Sequence, residues 1–239
     1  MSLSIIHKAN SRGHANHGWL DSYHTFSFAS YYNPERMNFG VLRVLNDDRV
    51  DPGMGFGTHP HDNMEIISIP LEGDLEHKDS MGNITVIKNG DIQVMSAGTG
   101  VYHSEYNKNA DRITKFLQIW VLPNKRNVTP RYDQITLNEN DRYNKLQQIL
   151  SPDPNDAGVW IHQDAWFHLG KFSKDFSTEY SLKKKNNGVY VFVLKGDFMV
   201  DGQALHERDG MGILEAVSIQ LSSQSENAEI LLMEVPMDM

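Results

Sequence analysis

His59 and His61, in the stretch "GTHPH", are two residues apart, so an extended strand turns both imidazoles to one face. Donors that close can share one metal ion at about 2.1 Å from each nitrogen. Pro60, between them, donates no ladder hydrogen bond and places the pair at a strand mouth or edge. The same spacing recurs in "SAGTGVYHSEY", where His103 and Glu105 follow a glycine-rich approach. Three neutral imidazoles and one carboxylate suit iron, copper, nickel, manganese or zinc, and ligand type alone does not choose. An isolated His-x-His is more often incidental than ligating, and the second pair is what lifts the metal reading above that. Glu65 is a rival carboxylate, because a turn at Asp62-Asn63 would bring it back toward the histidines.

The elements that must hold these residues read as strands. Short apolar, β-rich runs such as "FGVLRVL", "MEIISIPL", "KFLQIWVL", "VYVFVL" and "EILLMEV" are separated by turns at Leu71–Asp74, Ser80–Asn83, Lys88–Asp91 and Asn186–Gly188. That punctuation predicts sandwiches or barrels rather than alternating strands and helices. One helix is expected around Asn138–Leu150, where Tyr143, Leu146, Ile149 and Leu150 approximate helical spacing. With the following "SPDPNDAG" it forms a connection between two halves. A weak repeat supports two halves: "IPLEGDLEH" and "FVLKGDFMV" each carry an apolar strand into a Gly-Asp turn.

Composition removes several function classes. The 239 residues suffice for two domains of ordinary size. There is no cysteine, so thiolate metal sites and disulfides are excluded. A net charge of -9, from 31 acidic against 22 basic residues, opposes binding to a phosphate backbone. The basic run Lys183-Lys184-Lys185 precedes Asn186-Asn187-Gly188 and reads as a solvated turn. The first residues lack a signal-peptide pattern, and no run reaches the roughly 18 apolar residues of a membrane helix, so a soluble, cytoplasmic protein is expected. The glycine-rich runs "PGMGFGTH" and "SAGTGVYH" lack the GK[ST] ending of a phosphate loop.

Other histidines read as structural. His14, His17 and His24 are expected to make structural hydrogen bonds. His77 follows a turn and is expected to face solvent. His162 and His168, beside Trp160 and Trp166, are expected to pack or to lie at the surface.

Gly53, the HPH at 59–61, Glu65 and Gly73 follow the first motif of the cupins. Gly90, "SAG" at 96–98 and the histidine at 103 follow the second, with Ser96 where proline is usual. The ending His103-Ser104-Glu105 replaces the usual H-x3-N. With "GDIQVMSAGTG" and the N-terminal "GHANHGWLDSYHTFSF", it resembles the pirin branch of the superfamily, close to the bacterial pirin-like quercetin 2,3-dioxygenases. The resemblance covers most of the chain and implies an all-β bicupin, two antiparallel jelly-roll β-barrels packed face to face. Residues 1–137 would form the metal-binding half and 138–239 a degenerate half without a metal. It maps the ligands onto His59, His61, His103 and Glu105 and favours Glu105 over Glu65, the position through which ordinary cupins ligate. Counting back from Gly196 as the histidines lie before Gly73 reaches Leu182 and Lys184, neither a ligand.

The implied activity is oxidative opening of a flavonol heterocycle. The 3-hydroxyl is deprotonated, dioxygen adds across the ring, and carbon monoxide leaves with formation of a depside. One divalent metal is implied, ferrous iron first, with Glu105 as the catalytic base and a flavonol-like small molecule and dioxygen as partners. The second reading is a non-enzymatic metal- or redox-sensing regulatory protein of the pirin type, acting through a protein partner and not through direct nucleic-acid contact. A purely structural bicupin is the third, weakened by ligand positions filled in one half and absent from the other.

Overall fold

The structure, a computed structural model, describes residues 3–238. Strands arranged in four sheets dominate, and no α-helix occurs among the described residues. A seven-stranded sheet of the N-terminal half runs in the order Arg131–Thr136, Asp91–Ser96, Glu65–Glu72, Thr114–Val121, Leu42–Val50, Leu20–His24 and Gly13–Asn16. A four-stranded sheet of the same half runs Gly55–His61, Val101–Asn107, Asp74–Asp79 and Ile84–Lys88. The C-terminal half repeats the plan with a second seven-stranded and a second four-stranded sheet.

Side-chain alternation sets the layering. Along Asn187–Lys195, Tyr190, Phe192 and Leu194 enter a core shared with Leu45, Ile67, Val94, Leu117 and Ile119 of the N-terminal sheet. Val189, Val191 and Val193 point the other way, toward Phe198, Val200, Ile219 and Leu221 of the second four-stranded sheet. Period two therefore gives each seven-stranded sheet two buried faces, and the order through the molecule is four, seven, seven and four strands. The two halves do pack face to face. Each is a pair of sheets with open edges, not a cylinder closed by its hydrogen-bond ladder.

The internal repeat is structural. Gly73 and Gly196 both turn at φ +74°, and a Cβ at Gly73 would stand 2.7 Å from the carbonyl of Ile113, so glycine is required there. The first strand, Leu3–His7, crosses to the other half and pairs with Gly210–Leu214.

The helix expected at 138–150 does not form. A 3-10 turn covers Glu139–Asp141, Asn144 takes φ +53°, and Leu146–Ser151 is a strand on Trp166–Phe172. The ladder offered by that neighbouring strand, and burial of Ile149 and Leu150 in the shared core, outweigh an approximate helical period over two short polar turns. The basic run is a turn as expected, and the amides of Lys183 and Lys184 donate to the buried Glu234 carboxylate.

Candidate metal centre

The strand Val101–Asn107 lies between Gly55–His61 and Asp74–Asp79. Its burial alternates, so that His103 and Glu105 point inward while Tyr102 and Tyr106 point out. His103 is opposite His59, yet Glu105 is opposite Phe56, so the Gly55–His61 strand carries one extra residue, a β-bulge. The bulge re-aims His59, whose Nδ1 donates to the carbonyl of Gly57 at 2.7 Å. A carbonyl only accepts, so the His59 lone pair is on Nε2, available for coordination.

The three predicted histidines come together. Ring centroids are 4.5 Å apart for His59 and His103, and 4.9 Å for His61 with either His59 or His103. One nitrogen from each lies within 4.8 Å of one from the others. Glu105 belongs to an adjoining set, within 4.8 Å of His103 and His77. Its carboxyl accepts from Ser68 Oγ at 3.1 Å and from Gln118 Nε2 at 2.7 Å, both on the facing sheet.

The electrostatics fit a cation. Burial first, then the neighbouring imidazoles, pushes His103 down to about 2, and burial pushes His61 down to about 4. Both are neutral with lone pairs to give. Burial raises Glu105 to about 7 against the opposing hydrogen bonds from Ser68 and Gln118, and a nearby positive charge would relieve that cost. His103 Nε2 is buried without a hydrogen-bond partner, in a ring packed against His59 and His61. The residues present therefore fit a divalent metal ion.

Glu65, the rival carboxylate, is buried on its strand and accepts from Ser96 Oγ at 2.7 Å, in neither donor set. Among the remaining histidines, His14 bonds Asp21 at 2.5 Å and stacks on Tyr23. His17 and His24 instead line the cavity, and His24 Nδ1 has no hydrogen-bond partner. His162 and His168 pack edge-on against Trp160 and Tyr180.

His77 is a correction. It is fully buried, not solvent-facing, because it shares the inner face of its strand with Leu75; its Nε2 is 3.0 Å from Asp79. The turn at Gly73-Asp74 ends before the strand does, and the period-two pairing of Leu75 with His77 was the available signal.

Sequence reasoning also missed a polar rung across the facing sheet. His24, Asn46, Gln118, Ser68 and Gln93 are successive partners on neighbouring strands, all buried and on the side toward Glu105. Asp48, one rung away, accepts from Ser22 Oγ, and burial raises it to about 7. The corresponding face of the C-terminal half is filled by Val189, Val191, Val193, Ile230 and Leu232.

Above the histidines a cavity of about 600 Å³ opens, walled by Trp19, Phe28, Phe56 and Trp120. Its size suits one small aromatic molecule.

Two stacked β-sandwich halves, with a histidine and glutamate cluster inside one, are the arrangement of a two-domain cupin. Two family models match the chain, Pirin over residues 6–121 and Quercetinase C-terminal cupin domain over residues 148–235. The chain is 43% identical over 234 residues to the quercetin 2,3-dioxygenase of Escherichia coli (strain K12), covering 98% of this chain and 99% of that one. It belongs to the pirin family. The crystal structure of YhhW from Escherichia coli superposes with a TM-score of 0.93 at 42% identity, covering 98% of both chains. A structure of that bacterial pirin in complex with nickel(II) superposes at 0.92, covering 98% of this chain and 99% of that one.

Proposed function

We propose that the chain is a metal-dependent dioxygenase that opens the heterocycle of flavonols such as quercetin with release of carbon monoxide. The observation that carries this reading is the convergence of His59, His61, His103 and the buried Glu105 carboxyl on one aromatic-walled cavity. In this reading residues 1–137 hold one divalent metal through those four side chains, ferrous iron being the native ion, and residues 138–239 hold none. Bound there, the metal would supply a Lewis acid that favours the ionised form of a chelating enol beside dioxygen.

The chain's own residues do the rest. Glu105, ionised beside the metal, takes the proton of the flavonol 3-hydroxyl, which its place at the cavity brings within reach. Ser68 and Gln118 hold its two oxygens from the opposite sheet, fixing where the proton goes. Trp19, Phe28, Phe56 and Trp120 enclose the flat rings and exclude water from the opened intermediate. The names of the relatives support this substrate class.

The test is metal analysis of the purified protein followed by aerobic incubation with quercetin, reading loss of flavonol absorbance and release of carbon monoxide. The wild type should consume quercetin and His103→Ala should not. Turnover surviving in His103→Ala contradicts the metal-centred mechanism. Metal retained without turnover supports the regulatory reading instead.

A further inference from the structure

His77 and Asp79 are fully buried at their side chains, sit on the strand paired with that of His103 and Glu105, and have no part in the reaction described above. Asp79 is committed as an acceptor: Met81 N and Asn83 N donate to its Oδ1 at 2.9 and 3.1 Å, and Asn83 Nδ2 donates to its Oδ2 at 2.8 Å. The turn that follows the strand thus locks the carboxylate in place. His77 Nε2 lies 3.0 Å from the same Oδ2, so the proton of that contact comes from His77.

In neutral His77 the proton used at Nε2 leaves a lone pair on Nδ1. That atom faces His103 Nδ1 at 3.5 Å, the outer limit of a hydrogen bond. Two lone pairs would repel there, so the proton of His103 belongs on its Nδ1. The lone pair of His103 is then on Nε2, the buried atom without a partner. Tyr132 packs on His77 with ring centroids 4.7 Å apart and keeps it from turning.

We propose that His77, backed by Asp79, is a positioning residue that fixes the tautomer of His103 and turns its Nε2 toward the metal. The proposal rests on the reading of His59, His61 and His103 as metal ligands. It also assigns the second donor set, His77 with His103 and Glu105, as a hydrogen-bonded support and not a rival metal site, since both nitrogens of His77 are engaged.

Two substitutions separate this role from a ligand's and from simple packing. His77→Asn keeps an acceptor, its Oδ1, where His77 Nδ1 stands; His77→Leu removes it. Nickel(II) is titrated into metal-stripped full-length wild type, both variants and His103→Ala, and histidine nitrogen NMR is recorded on the metal-free proteins. His77→Leu should bind nickel about 10–100-fold more weakly than wild type, the usual loss for a partner behind a ligand. His77→Asn should stay close to wild type. In wild type and His77→Asn, His103 should carry its proton on Nδ1, and in His77→Leu it should shift toward Nε2. Wild-type affinity in His77→Leu, equal losses in both variants, or an Nε2 proton on wild-type His103 overturns the proposal. Failure of wild type to bind nickel, or full binding by His103→Ala, overturns the metal reading, and the NMR result then still decides the tautomer.

Discussion

Glu105 and Gln118 meet across the interior of the N-terminal sandwich, the Gln118 amide donating to the Glu105 carboxyl at 2.7 Å from the opposite sheet. Replacing that donor by an isosteric apolar group loosens the carboxyl without removing it. Gln118→Leu should weaken nickel binding about 10–100-fold, read by competition with a chelator. Unchanged affinity would show that Glu105 needs no support from this side.

Gly55 protects the register at the bulge. A Cβ there would stand 2.2 Å from the carbonyl oxygen of Glu105 and 2.5 Å from Tyr106 Cα, and backbone atoms cannot step aside as a flexible side chain can. Gly55→Ala should displace the Gly55–His61 strand from Val101–Asn107, moving His59 away from His103. The expected readouts are a lower Tm and loss of stoichiometric metal uptake together. A variant that keeps both would contradict the packing described for this pair of strands.

The C-terminal half has its own buried carboxylate, with a structural role. Glu234 is fully buried and accepts from Tyr180 Oη, the amides of Lys183 and Lys184, and Asn187 Nδ2. Glu234→Ala orphans these donors and should cost about 3–5 kcal/mol by urea denaturation. Nickel affinity of the folded protein should not change, because the proposed metal site is in the other half.

Burial, then the charge of Lys183, lowers His168 from 6.5 to about 4. An imidazole whose folded value is depressed contributes stability above its unfolded value and loses it as pH falls toward the folded one. His168 should therefore cost the fold stability as pH drops from about 6.5 to about 4, a loss on the order of 1–3 kcal/mol. His168→Leu should show a shallower fall of Tm over that range than wild type. Parallel curves would mean that His168 is already solvated in the folded state.

The spacing of His59 with His61 and of His103 with Glu105 could be read directly, because strand alternation converts two residues apart into one shared face. The Gly-Asp repeat was legible for a similar local reason, since a left-handed turn needs glycine at Gly73 and Gly196. The missed features depend on partners distant in sequence. Whether Leu146–Ser151 becomes helix or strand is decided by Trp166–Phe172. The rung from His24 to Gln93 draws one residue from each of five strands, so no window of sequence contains it. His77 was misread from the turn before it, although its alternation with Leu75 pointed inward.

The central claim is that one metal ion sits among His59, His61, His103 and Glu105. Anomalous diffraction at the nickel edge, from crystals of the nickel-loaded protein, tests it most directly. The account predicts one peak about 2.1 Å from the Nε2 atoms of His59 and His103, a His61 nitrogen and a Glu105 oxygen. A peak among His77, His103 and Glu105, or no peak in the cavity, would contradict it.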